Sequence, residues 1–150
     1  MSLEDAINAV VARMKTLPGV GVLVYDEEKS ITDPDQFQKE FVEELKQRIN
    51  GWTVLVETTQ STDRGVTVVD DRHQLVIRGW RSLNAEKNSG REFRNDVEAL
   101  RQAFNKGDRK LGGACLESGP MSRRYQTSGM FAGALVHYVE LTYPVRLYPV

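Results

Sequence analysis

Apolar positions along the chain fall into stretches of two periods. Leu3, Ile7, Val10 and Met14 recur at helical spacing and form one stripe. Ser2, with Asp5 three residues later, is a variant of the capping box that starts this helix, and Pro18-Gly19 ends it. Asp33-Pro34 places an N-cap acceptor before a proline whose missing N–H costs nothing at the first helical position. Phe37, Phe41, Leu45 and Ile49 then predict a second helix with Val42 beside its buried row, and Gly51 as the left-handed residue past its end. A third helix is predicted from about Glu92 to Lys106, with Phe93, Val97, Leu100 and Phe104 on one face and Gly107 closing it. Each helix is apolar on one side only, so each is expected to lie on a sheet.

The strand signals lie between and after these helices. Residues 20–25 are a short apolar run, and residues 52–57 alternate with one wetter face. Residues 65–70 and 73–80 are rich in β-branched side chains, and Asp71-Arg72 between them predicts a tight hairpin. Residues 111–116 predict another strand. The longest alternation covers residues 134–148, where Pro144, unable to donate to a ladder, implies an edge or a bulge. The predicted order is α-β-α-β-β-β-α-β-β. The fold class is α+β, a mainly antiparallel sheet with helices packed on one face, in one domain spanning residues 1–150. Polar linking stretches are expected at residues 26–32, 58–64, 82–91 and 119–130.

Composition narrows the function classes. A chain of 150 residues fits one domain and buries enough surface to need no disulfide or metal staple. One Cys excludes an internal disulfide framework and multi-Cys zinc modules, and a net charge of −1 supplies no general field for phosphates. The polar, acidic start lacks the form of a signal peptide, and no apolar run approaches a membrane span, so a soluble cytoplasmic protein is expected.

Candidate chemistry is sparse. His137 reads as a core or interface imidazole with a satisfied hydrogen bond, and Cys115 as a small buried hydrophobe. Asp70-Asp71 and Glu43-Glu44 are neighbours whose side chains diverge in a strand or helix, so both pairs read as solvated surface. Gly112-Gly113 lacks the Lys and helix of a phosphate loop. No catalytic residue, cofactor or metal is therefore expected. Charge is uneven instead: residues 1–50 hold ten acids and six bases, and residues 91–150 hold six acids and nine bases. Complementary surfaces of that kind suit head-to-tail contacts between copies, which close rings. The candidate interface residues are Asp26, Glu27 and Glu28 on the acidic side and Arg123 and Arg124 on the basic side. Trp80, Tyr138 and Tyr148 join them as aromatics on the sheet face away from the helices.

This pattern resembles the tail terminator (tail completion) proteins of long-tailed bacteriophages. The resemblance covers most of the chain. It rests on the N-terminal amphipathic helix, a strand and second helix, and the strand pair ending Val76-Ile77-Arg78-Gly79-Trp80. The helix over residues 93–104, the Leu111-Gly112-Gly113 segment and the closing strand with its apolar-His-Tyr-apolar-Glu-Leu-Thr run complete it. The resemblance implies a virion structural protein rather than an enzyme. Such a protein forms a ring, usually a hexamer, that caps the head-proximal end of the tail tube. The ring stops tube polymerisation and offers a docking surface for the head connector. Implied partners are further copies, the tail-tube protein and a connector or stopper protein, with genomic DNA passing through the lumen without specific binding. Two alternatives stand beside it: another neck or tail-completion component, and a small-ligand-binding domain or enzyme using His73, His137 and Cys115.

Overall fold

The computed structural model describes residues 2–21, 23–26, 41–43, 48–131 and 133–147. It is an α+β fold, with a mixed, mostly antiparallel sheet and, among the described residues, two long helices on one face. In chain order the elements are α1 (Leu3–Met14), β1 (Val24–Tyr25), β2 (Val42–Glu43), β3 (Arg48–Asp63), β4 (Val69–Ser82), α2 (Ser89–Asn105), β5 (Glu117–Ser118), β6 (Ser122–Phe131) and β7 (Ala134–Arg146). The body of the sheet is four long antiparallel strands in the order β3-β4-β7-β6. β1 runs parallel to β3 at Trp52 and Thr53, and β2 runs antiparallel to it at Arg48 and Ile49.

The two helix faces read from the sequence form the core. Ser2 caps α1 by accepting from the Asp5 N–H at 3.1 Å, and Ala6, Ile7, Val10 and Met14 are buried. Phe93, Val97, Leu100 and Phe104 of α2 are buried with them, against Trp52 and Val54 of β3, Leu75 and Ile77 of β4, and Val139, Leu141 and Tyr143 of β7. Gly79 leaves room for the Trp52 ring against β4, because a Cβ there would collide with the indole.

Several expectations are corrected. Residues 27–40 and 44–47 lie outside the described residues, but Val42 and Ile49 are strand residues paired with each other, not helix. Phe41 itself is helical, as expected, and the chain is already extended at Val42; a spacing of four is a multiple of the strand period as well as near the helical one, so Ile49 fits either row. Gly51 is likewise inside β3 and not a helix cap; it is bare because the Phe41 ring occupies the place of a Cβ. The hairpin does not turn at Asp71-Arg72. β3 runs on to Asp63 and the turn lies after it, with Gly65 at φ +147° and the Arg64 N–H donating to Val68 O at 2.8 Å. Residues 58–63 and 122–131 are strands and not loops. Both are exposed, so nothing selects for alternation in their side chains. Residues 111–116 are not a strand but mainly a 3-10 turn, in which Asp108 accepts from the N–H groups of Lys110 and Gly112 at 2.9 and 2.8 Å. α2 starts at Ser89, earlier than expected, after Asn88 in the left-handed region at φ 53°.

Pro144 lies at neither an edge nor a bulge but within the inner strand β7, opposite Gln74 in an unbroken register. Its carbonyl accepts from the Gly119 N–H at 2.8 Å, opposite the break between β5 and β6, so its missing donor falls where the ladder is interrupted.

Candidate functional site

The sheet face away from the helices carries two neighbouring clusters. One is apolar: Phe41, Ile49, Trp80 and Val136 are buried together, with Tyr25, Phe131 and Tyr138 packed around them. The Trp80 ring lies 5.3 Å from Phe41, 5.6 Å from Phe131 and 5.5 Å from Tyr138. Trp80 is therefore sealed by its own chain, which corrects its assignment as an interface residue.

The second cluster is ionic. Arg124 is the bulged residue of β6, opposite the step between Leu141 and Glu140 of β7. The bulge aims its guanidinium along the sheet face, where it grips both carboxylate oxygens of Glu57 and reaches Glu140 at 3.4 Å. Arg78 pairs with Glu140 at 3.0 Å, and the Tyr138 hydroxyl donates to the same carboxylate at 2.9 Å. The hydrogen bond from Arg124 holds the Glu57 carboxyl below its ordinary value. Burial raises Glu140, but Tyr138, Arg78 and the Arg124 charge outweigh it and lower it overall. Burial and then the Glu140 carboxylate push the Tyr138 phenol upward. Arg124 and Tyr138 are thus committed inside the subunit, and Arg124 is not a free interface cation.

Asp70 and Asp71 are not equivalent solvated carboxylates. Asp70 is buried and bound by Arg146, whose Nε lies 3.1 Å from each carboxylate oxygen, and by Arg64 at 2.9 Å. The Arg146 hydrogen bond lowers its pKa. Asp71, on the other face, accepts from the Ser61 hydroxyl at 2.6 Å. Depressed carboxyls stabilise the fold fully above their unfolded values, 4.5 for Glu and 3.8 for Asp, and lose that contribution as pH falls through the lower folded values. Thermal melts from pH 7 to pH 3 are expected to fall steeply below about pH 4.5. Arg124→Gln should be less stable at pH 7 and show a shallower fall. Parallel curves for the two proteins would contradict the role given to Glu57 and Glu140.

A buried cation, unmarked by the hydrophobic pattern, lies on the helix-covered face. Arg81 is fully buried under α2, bonded to Asp96 at 2.5 Å, Glu92 at 3.2 Å, Asn50 at 3.1 Å and the Gly19 carbonyl at 2.6 Å. Its guanidinium lies 5.4 Å from the Phe93 ring centre. The available signal was position: Arg81 continues the odd-numbered row of Leu75, Ile77 and Gly79 that faces the helices.

The three residues of the enzyme alternative do not converge. His137 bonds Ser89 Oγ at 2.8 Å and stacks on Phe93, and burial together with the Arg81 charge lowers its pKa. His73 bonds Thr59 Oγ1 at 2.8 Å and sits opposite Val145, eight residues along β7 from His137, a separation of roughly 27 Å. Cys115 is buried and burial raises its thiol pKa, the opposite of an activated nucleophile. A cleft of about 370 Å³ opens beside His137 and is lined by Arg91 and Arg94, but His137 Nε2 is already held by Ser89.

The remaining interface candidates separate clearly. Glu27, Glu28 and Tyr148 lie outside the described residues, and Asp26 is exposed just after β1. Arg123 is exposed on β6 and bonded only to Gln126 of its own strand, at 3.0 Å, among the described residues. Most of β6 is exposed, with Tyr125 and Met130 bare, and on the far side of the sheet the outer half of β3 is equally exposed. The candidate site is this pair of edges. No family model matches the chain, and no curated protein matches it significantly.

Proposed function

We propose that this protein is a virion structural component that assembles into a ring on the head-proximal end of a phage tail tube. The ring, a hexamer by the resemblance drawn above, stops tube growth and presents a docking surface to the head connector. The observation that carries this reading is the sheet's termination in two long exposed edges on opposite sides of one subunit. That arrangement suits head-to-tail addition of identical copies. The ionic face supports a lumen that lets DNA pass, since its cations Arg78 and Arg124 are neutralised by Glu57 and Glu140. The role is structural, with no chemical step, and the protein's place is the virion tail, after assembly in the host cytoplasm.

The test is tube growth. Tail-tube protein polymerised with increasing amounts of this protein is expected to give shorter tubes, each bearing one cap in negative stain. Unchanged tube lengths and bare ends would refute the reading. Binding elsewhere on the tail would instead favour another neck or tail-completion component.

A further inference from the structure

We infer that the subunit interface is one continuous sheet, in which β6 of one copy pairs antiparallel with the outer half of β3 in the next. This rests on the ring reading for its second copy, but the pairing itself is argued from the two edges.

Strand direction is compatible. The order β3-β4-β7-β6 is antiparallel throughout, so a neighbour's β3 in the same orientation meets β6 antiparallel. Length and irregularity also match. β3 carries one bulge residue, Glu57, and β6 carries one, Arg124. Leaving both out, one register sets Val56 opposite Met130 and Asp63 opposite Arg123, with Thr59 opposite Ser128 and Ser61 opposite Gln126 between them.

In that register every partner points to the same face. Val56, Thr59, Ser61 and Asp63 share the helix-covered face by their pairing with Leu75, His73, Asp71 and Val69. Arg123, Gln126, Ser128 and Met130 share it by their pairing with Leu141, Val139, His137 and Leu135. Backbone polarity agrees. The Trp52 N–H donates outward to Leu23 O, and alternation carries that outward direction to Val54 and Val56. The Pro144 carbonyl points away from β4 to Gly119, and the same alternation across β7 makes Arg123, Gln126, Ser128 and Met130 the outward residues of β6. Outward groups on one edge thus meet outward groups on the other.

Side-chain chemistry follows the same register. Val56 and Met130 are both exposed and apolar, at 38% and 66% of their surfaces. At the other end Asp63 and Arg123 are opposite charges, and among the described residues neither has an ion-pair partner within its own subunit. Apolar meets apolar and charge meets opposite charge, the arrangement that stabilises cross-strand pairs. Of the two arginines Arg123 and Arg124, only Arg123 is available for this contact.

Disulfide trapping in a Cys115→Ala background tests the register. Asp63→Cys and Arg123→Cys chains, mixed and oxidised, should form covalent dimers, because directly opposed Cα atoms about 5.5 Å apart fall within disulfide reach. One chain carrying both substitutions should give a ladder of oligomers, since its own two cysteines sit on opposite edges of the sheet. Thr62→Cys mixed with Arg123→Cys should give little, because Thr62 points to the other face. Charge exchange is the second arm. Asp63→Arg and Arg123→Asp should each lower the assembled mass seen by light scattering, and the two together should restore it. Absent dimers, equal yield from the Thr62 control, or no recovery among folded variants would overturn the pairing. Capped tubes without the cross-link would leave the capping role standing and remove this interface. The cross-link without capping would keep the interface and remove the role.

Discussion

Phe104→Ala is expected to lower the unfolding free energy by about 3–5 kcal/mol. Phe104 is fully buried at the end of α2, with its ring 5.1 Å from that of Tyr143 in an edge-to-face contact. The Arg13 guanidinium of α1 lies 5.1 Å from the same ring, so Phe104 joins both helices to β7. Truncation removes the transfer free energy of the ring and leaves a cavity that three elements would have to move to close. Urea unfolding should show a lower midpoint with an unchanged slope. A shift equivalent to less than about 1 kcal/mol would contradict the packing described for α2, since surface substitutions fall in that range. Phe41→Ala offers a comparison, because Phe41 is equally buried but belongs to the smaller cluster on the other face.

Arg81→Met is expected to cost about 3 kcal/mol, the lower end of the range for removing one partner from a buried ion pair. Methionine keeps much of the apolar stem but leaves Asp96 without its Arg81 donor, while Asn50 Oδ1 keeps the Trp52 indole and the Gly19 carbonyl keeps the Asn50 amide. The side chains of Asp96 and Glu92 keep 23% and 42% of their exposure, so solvent offsets part of the loss. Adding Asp96→Asn should recover part of the stability, because the uncompensated charge is then gone. A double variant whose loss equals the sum of the two single losses would show that Arg81 acts through packing alone. The network ties α2 to β3, to β4 and to the turn after α1, so hydrogen exchange at the start of α2 should quicken in Arg81→Met.

The parts of the fold legible in the sequence are those where burial imposes a period. The rows Leu3-Ile7-Val10-Met14, with Leu3 only partly buried, and Phe93-Val97-Leu100-Phe104 line the core because a helix on a sheet must bury one stripe. The long alternation of β7 was readable because it is an inner strand with a covered face. Two kinds of segment were not readable. Residues 58–63 and 122–131 are exposed over most of their length, and an exposed strand leaves its side chains free of an apolar pattern. Around residues 41–50 the spacing of four fitted both periods, and the deciding contacts, Phe41 over Gly51 and Ile49 beside Trp80, are tertiary. The same limit hid Arg81 and Asp70, whose burial depends on partners distant in the chain. For the candidate site, charge asymmetry pointed to Arg123 and Arg124 together. Only the bulge in β6 separates them, turning Arg124 inward to Glu57 and leaving Arg123 on the edge.

The role proposed for this chain, a cap on the head-proximal end of a tail tube, is put to the test by a density map of the assembled tail. The predicted result is a single ring of this protein immediately beyond the last ring of tube subunits on the head-proximal side. Density for the chain anywhere else along the tail, or its absence from the particle, would contradict it.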